Sequence, residues 1–517
     1  MSVRALYDWF HRTTRGHAGT TALEVKGHSL TYTELAELSG CLAALVERTA
    51  GGPPARVGLL MSRSVAAYAG YLAALRLGAT VVPLDPRSPA ARNAAITRAA
   101  GVEVTITDVS SGHASAAYAR TAGVPVVDLA GTGPRAVWEA SRSPRVPSVR
   151  EPLSEVAYIA FTSGSTGKPK GVPVTHANVS CFLEEALPRF GFEPGCRVSQ
   201  TFELSFDAAV NELFGAWAGG GTLCVPRRSE IYDVVRFANE RGLSHWLSVP
   251  SVITFAVRAG GLTPGSVPGL RQTLFGGEPL TNGQALTWRA AAPNTTLHNC
   301  YGPTELTLVC TDFVVHPGDP AWPLTSNGTL PIGPVYPALE YVLIDDGLRP
   351  AEEGELCVRG PQRFPGYLDP DENTGRFMTF DGISARVYDG AEPLTAGHWY
   401  RTGDQVRREN GHLVHVGRVD DQIKVQGIRI EPGEIESLLR GHPKVLDAVV
   451  LSVAALDGEA RLHAFYTGEE VGPAELAPLV AGLPRPMRPV AFHHRGSLPL
   501  TLNGKTDRKV LRAELAV

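Results

Sequence analysis

The sequence predicts an α/β chain: a large N-terminal domain of layered α/β subdomains followed by a small α+β C-terminal domain. Three observations carry this. Apolar runs of strand length alternate with helical patterns as far as Gly260, the order that builds parallel sheets covered by helices. The pattern restarts after Val416, where about a hundred residues remain, enough for a small domain. A chain of 517 residues also exceeds what one hydrophobic core holds. We therefore expect domains at 1–416 and 417–517.

The first 19 residues carry Arg4, Asp8, His11, Arg12 and Arg15 among apolar ones, so they lack the apolar core of a secretory signal. No apolar run reaches membrane-spanning length, and a cytoplasmic protein is expected. The stretch TYTELAELSGCLAALV (31–46) has helical apolar spacing, with Thr33 and Ala36 forming a weak cap. A strand at 57–60, a helix at 65–77 and a strand at 79–83 follow. Residues 144–152 read as a loop linking two lobes, 156–161 as a buried strand, and 381–397 as an exposed insertion. At 417 the run GRVDDQIKVQGIRIEPGEIESLLRGHP begins a fresh strand, turn and helix, with the charged pair Asp420 and Asp421 at the join.

Composition narrows the function. A hydrophobic share of 43% with 19% charged residues is that of a globular protein. The 48 Lys plus Arg against 52 Asp plus Glu leave a net charge of −4, which gives no footprint for nucleic acid or an anionic membrane. Seven cysteines lie scattered without a Cys-x-x-Cys pair or a nearby His cluster, so reduced thiols are expected and a metal site built from protein ligands is not.

The stretch TSGSTGKPKG (162–171) follows the 156–161 strand and looks like a phosphate loop, yet it breaks the Walker rule twice. Thr162 stands where the leading glycine belongs, and Pro169 follows Lys168. Proline lacks the amide N–H and bars Lys168 from helical angles, so the loop cannot run straight into a helix. Glycines that admit close backbone approach, with hydroxyls and ammonium groups, still suit phosphate oxygens.

Further stretches follow in order: LGATVVPLDPRSPAAR (77–92), SFDAAVNELF (205–214), FGGEPL (275–280), NCYGPTE (299–305), GELCVRG (354–360), YRTGD (400–404), GRVDDQIKVQGIRIEPGEIE (417–436) and PLTLNGKTDRK (499–509). Together they resemble the adenylation domains of nonribosomal peptide synthetases and their stand-alone relatives. These lie within the adenylate-forming (ANL) superfamily, which also holds acyl-CoA synthetases and luciferases. The resemblance spans nearly the whole chain and implies the ANL fold, with a C-terminal domain that moves during turnover.

It also implies a site for ATP and Mg²⁺. The loop would wrap the β- and γ-phosphates through Thr162, Ser163, Gly164, Ser165, Thr166, Gly167 and Lys170, with Gly277, Gly302 and Thr304 lining the nucleotide. Tyr301, in a rigid turn with Gly-Pro, would lie flat on adenine, and Asn299 would bond its amino group. Glu305 would hold Mg²⁺, which prefers one or two carboxylates plus phosphate oxygens. Asp404 would accept from the ribose hydroxyls, assisted by Arg418; taken singly, such acids are more often solvated surface charges. Lys505 would bridge the attacking carboxylate and the phosphate, with Lys424 and Glu305 as further catalytic candidates. Asp420 matches the hinge, and Gly427 the loop that faces a phosphopantetheine arm.

For the acid, Asp207 matches the position that pairs with an α-ammonium group. The other pocket positions are Ala208, Asn211, Leu247, Leu274, Gly276, Cys300, Leu308 and Val309, none of them charged. An uncharged amino acid such as alanine, proline, valine or leucine is expected, because a charged side chain would meet no partner. The FGGE stretch is also similar to D-alanine carrier-protein ligases, although Gly276 replaces their cysteine. The run VRGPQRFPGYLDPDENTGRF (358–377) departs from the synthetase pattern and looks like that of a stand-alone antibiotic-pathway enzyme.

GHSL (27–30) resembles a phosphopantetheine attachment signature at Ser29, but too few residues precede it for a carrier bundle, so Ser29 is expected to be structural. With Val517 soon after Lys505, the acceptor is expected to be a separate carrier protein. The rival readings are an acyl-CoA synthetase and a homologue that binds nucleotide or carrier without catalysis.

Overall fold

Three sheets build the larger of two units in the computed structural model. The structure describes all residues except 1–3, 109–111, 130–137, 140–145, 163–168, 320–321, 420–421, 426–427, 455–459, 500–505, 507 and 516–517; of 112–115, 424, 454 and 509 it describes the backbone alone. The larger unit holds residues 1–86, 93–160 and 171–419; the smaller holds 87–92, 161–170 and 420–517.

The first sheet has eight strands, ordered Thr311–Val315, Thr296–Tyr301, Gln272–Gly276, His245–Ser248, Arg197–Ser199, Thr222–Val225, Thr21–Val25 and His28–Thr31. The inner six run parallel and each edge strand is antiparallel to its neighbour. A second sheet of six strands orders Val126–Asp128, Val104–Thr107, Arg56–Leu60, Thr80–Leu84, Val156–Thr162 and Lys170–Thr175. A third, antiparallel sheet of six strands spans Glu340–Arg418. The smaller unit carries a two-stranded pair, Ile423–Val425 with Ile428–Ile430, and a three-stranded sheet, Val445–Ala454, Ala460–Gly468 and Ala491–His494. The chain is thus a mixed α/β protein with a large N-terminal and a small C-terminal part. Among the described residues no helix is long and apolar enough to cross a membrane.

Several sequence expectations shift by a residue or two. The first long helix runs Tyr32–Ala50, and its cap is Thr31, not Thr33. Thr31 Oγ1 accepts from the Glu34 amide at 3.2 Å while Glu34 Oε2 accepts from the Thr31 amide at 2.8 Å. This reciprocal capping box satisfies two orphan donors, which Thr33 with Ala36 cannot do. The helix Val65–Arg76 buries all its residues from Val65 to Leu75, hence its unbroken apolar sequence. The expected insertion at 381–397 contains a strand, Ala385–Val387, paired with Phe377–Phe380, so it is exposed yet tied to the third sheet. Ser29 sits in the edge strand His28–Thr31 opposite Glu24. None of the seven cysteines forms a disulfide, and Cys196, Cys224, Cys300, Cys310 and Cys357 are buried.

Three buried titratable groups show the largest acid and base shifts that bear on stability between pH 4 and 8. His176 Nδ1 accepts from the Leu6 amide at 3.0 Å, and burial lowers its pKa from 6.5 to about 4. His245, bonded to Ser244 Oγ and the Phe190 carbonyl, is likewise lowered to about 4, chiefly by burial. Both stay neutral when folded, so their contribution is complete above pH 6.5 and is lost as pH falls towards 4. Glu212, fully buried at the Thr201 and Phe202 amides and Gln200, is pushed up from 4.5 to about 8 by burial. Its contribution is complete below pH 4.5 and is lost as pH rises towards 8. His11, His463 and His493 are lowered as well, chiefly by burial, so the histidines together raise stability up to pH 6.5, while above it the raised carboxyls Glu212 and Glu434 lower it. Denaturant unfolding at half-unit pH steps should therefore peak near pH 6.5; a rise continuing to pH 8 removes the Glu212 assignment.

Candidate active site

The parallel strands His245–Ser248, Gln272–Gly276 and Thr296–Tyr301 end together, and in such sheets ligands bind beyond the carboxyl ends. Register sorts their side chains. Leu247 pairs with Leu274, Leu274 with His298, and Gly276 with Cys300. Because alternate residues point to opposite faces, Leu247, Leu274, Gly276 and Cys300 share one face, while Asn299 and Tyr301 lie on the other. The expected acid pocket and adenine platform thus come from alternate positions of the same strands. Gly276 has a steric reason: a Cβ there would stand 3.2 Å from the Cys300 carbonyl oxygen.

Helix Ala208–Gly219 packs its residues Ala209, Val210, Leu213 and Phe214 into the same core as Leu247, Leu274, Cys300 and Leu308. Asp207 is its N-cap and accepts from the Ala208 amide at 2.8 Å. It is half-buried, not buried as its pairing role suggests. The helix terminus itself favours a carboxylate there, so a cation is not its sole compensation. Asn211, one turn on, is buried, and its Oδ1 meets no hydrogen-bond partner. Ala208 and Val309 are half-buried.

On the opposite face Asn299 donates through Nδ2 to the Pro331 carbonyl at 2.7 Å and the Leu330 carbonyl at 3.3 Å. Its donors are taken by backbone, which leaves Oδ1 as the end able to accept from an amino group. Tyr301 does more than offer a ring. Its hydroxyl donates to Asp404 Oδ2 at 2.7 Å. Asp404 Oδ1 is shared by Arg418 Nη1 at 2.8 Å and His415 Nε2 at 3.1 Å. Asp404 is only 4% exposed, and Glu305 is 0% exposed, so neither is a solvated surface acid. Glu305 Oε1 accepts from the Tyr367 hydroxyl at 2.7 Å. A single buried carboxylate so oriented fits Mg²⁺, which takes few protein ligands where phosphates supply the rest.

Strand Val156–Thr162 ends at Thr162 and strand Lys170–Thr175 opens at Lys170, so a strand, not a helix, follows the Gly/Ser run. Ser163, Gly164, Ser165, Thr166, Gly167, Lys505, Asp420 and Gly427 lie outside the described residues, as does the side chain of Lys424. Gly277 turns at φ 86°, and Thr304 opens the short 3₁₀ turn Thr304–Leu306.

The contacts of two residues escaped the sequence reading. His415 reaches Asp404 because the strand His412–Arg418 is irregular: Asp404 pairs with Arg418 and Gln405 with Gly417, but Val406 pairs with His415. That irregularity brings both His415 and Arg418 to one carboxylate. Tyr367 lies within the 358–377 run, where Gly366 and Tyr367 keep the Gly-Tyr core of the synthetase pattern, but its grip on Glu305 spans 62 positions and leaves no local sign.

Comparison with known proteins adds to this geometry. Residues 10–368 match the family model for AMP-binding enzymes. The chain is 34% identical to phosphinothricin tripeptide synthetase PhsC of Streptomyces viridochromogenes over 99% of its own length and 45% of that protein. It spans less than half the length of the curated relatives it matches, down to 6% of a nonribosomal peptide synthetase of Salinispora arenicola. Among solved structures, the Vibrio cholerae adenylation domain AlmE in complex with glycyl-adenosine-5'-phosphate superposes with a TM-score of 0.82 at 25% identity, covering 100% of this chain and 98% of that one. Holo-PA1221, an NRPS protein containing adenylation and PCP domains bound to a vinylsulfonamide inhibitor, gives 0.78 at 26%, covering 98% and 84%.

Proposed function

The chain belongs to the AMP-binding enzymes, as an adenylation domain of the nonribosomal peptide synthetase type, and from that premise we propose that it activates an α-amino acid with an uncharged side chain and delivers it to a carrier protein. The adenylate-forming chemistry is common to the family; the choice of acid and acceptor is our reading. The observation that carries it is the pairing of a half-buried carboxylate, Asp207, at a helix N-terminus with pocket positions free of charge: Ala208, Asn211, Leu247, Leu274, Gly276, Cys300, Leu308 and Val309. The glycyl adenylate bound by AlmE supports an amino-acid substrate, and the carrier (PCP) domain of PA1221 supports a phosphopantetheine thiol as acceptor.

In the first half-reaction a carboxylate oxygen attacks the α-phosphorus of ATP, and the bond to the departing pyrophosphate breaks. Tyr301 and Asn299 orient adenine, and Asp404, held by Arg418 and His415, receives the ribose hydroxyls. Mg²⁺ on Glu305 and phosphate oxygens would offset the charge of the leaving group. Lys505 brings the attacking anion to the phosphate, with Lys424 assisting, while Thr162 to Lys170 wrap the β- and γ-phosphates. In the second half-reaction the C-terminal domain, 417–517, turns about Asp420, withdraws Lys505 and presents the Gly427 loop to the thiol, which attacks the adenylate carbonyl and releases AMP. We place this chemistry in the cytoplasm.

Pyrophosphate exchange across a panel of amino, fatty and aryl acids tests the reading. An uncharged amino acid should dominate, with charged ones at least about a hundredfold weaker, because an unpartnered buried charge costs several kcal/mol. Dominance by a fatty or aryl acid would instead favour a coenzyme A ligase.

A further inference from the structure

The loop 302–310 joins the antiparallel strands Thr296–Tyr301 and Thr311–Val315 and bears Glu305, Leu308 and Val309. Its backbone is strained. Thr307 and Leu308 stand at φ 56° and 74°, the left-handed region that a β-branched or bulky residue avoids. Such conformations persist only where surrounding contacts over-determine them.

Gln362 supplies those contacts. It lies beyond the strand Glu353–Arg359 and is fully buried. Its Nε2 donates to the carbonyls of Val309 at 2.9 Å, Leu306 at 3.2 Å and Thr307 at 3.4 Å. Thr307 Oγ1 donates back to the Gln362 carbonyl at 2.6 Å, and the Phe364 amide donates to the Glu305 carbonyl at 2.9 Å. The Gln362 segment is itself clamped, since Asn178 Nδ2 donates to the carbonyls of Pro361 at 2.7 Å and Arg363 at 3.1 Å. On the loop's other side Gly302 allows close packing, because a Cβ there would meet the Leu308 carbonyl oxygen at 2.4 Å. One amide thus holds three carbonyls of the strained turn that bears Leu308 and Val309.

We propose that Gln362 is a positioning residue for acid selection: it fixes the backbone that carries Leu308 and Val309 and so sets one wall of the pocket. This rests on the reading that Leu308 and Val309 contact the acid. Gln362 acts here through that backbone rather than by a contact with a substrate.

Gln362→Met keeps the shape and removes the donors. Hydrogen–deuterium exchange on residues 306–310 should quicken about tenfold or more in that variant, with the strand Glu353–Arg359 unchanged. In pyrophosphate exchange the KM for the amino acid should rise about tenfold while that for ATP stays within about twofold. Discrimination between acids one methylene apart should fall about threefold or more, which a general loss of folded enzyme would not produce. Unaltered exchange at 306–310 overturns the proposal, as does an equal rise in both KM values. If Gln362→Met fails to fold, Thr307→Ala, which removes only the return bond, should produce the same split in smaller measure, and its absence counts equally against the proposal. Should the wild-type protein activate no amino acid, the reading of the pocket falls while hydrogen exchange still decides the role of Gln362.

Discussion

Asp207→Ala is expected to lower kcat/KM for the amino acid about 10–10²-fold while the KM for ATP changes less than about twofold. An ammonium group brought into the pocket loses its water and, without Asp207, finds no carboxylate there. Removing one partner of a fully buried ion pair costs about 3–5 kcal/mol, and because Asp207 is half-buried the effect is set at and below the lower end of that range. The same variant should bind the matching desamino acid no worse than wild type, because that acid has no ammonium to strand. Equal losses for both acids would mean that Asp207 serves only as the cap of helix Ala208–Gly219.

Lys505→Ala should suppress pyrophosphate exchange about 10²–10³-fold, the scale set by losing one preorganised group at developing charge. A carboxylate and a triphosphate repel each other, and a bridging ammonium both orients them and offsets the charge. Melting temperature should stay unchanged. Transfer from a supplied aminoacyl adenylate to a carrier thiol should also persist, because that step needs Lys505 withdrawn. If both half-reactions fell together, the lysine would have a structural role in the C-terminal domain rather than a share in one step.

The alternating strands and helices of the larger unit were legible because buried parallel strands leave unbroken apolar runs, such as 57–60 and 156–161. The positions we assign to nucleotide and acid are read from motifs that fall at the ends of strands such as Gln272–Gly276 and Thr296–Tyr301. Contacts that join distant segments were not. Gln362 and the 306–309 carbonyls lie more than fifty positions apart. His415 depends on a register shift that no pattern announces. Thr31 was passed over because its Glu34 partner lay inside a stretch read for apolar spacing, although the T-x-x-E box was in view. Asp404 and Glu305 are more deeply enclosed than acids usually are, and only the arrangement of Tyr301, Arg418 and Tyr367 around them explains why.

The division of labour along Thr296–Tyr301 bears on how such a chain diversifies. Asn299 and Tyr301 stand on one face of that strand and Cys300 on the other, and we assign the first pair to the nucleotide and the second face to the acid. Inserting or deleting a single codon in this stretch would exchange the two sets and ruin both sites at once. On that assignment, point replacement at Cys300 alters the acid side while leaving the face of Asn299 and Tyr301 in register.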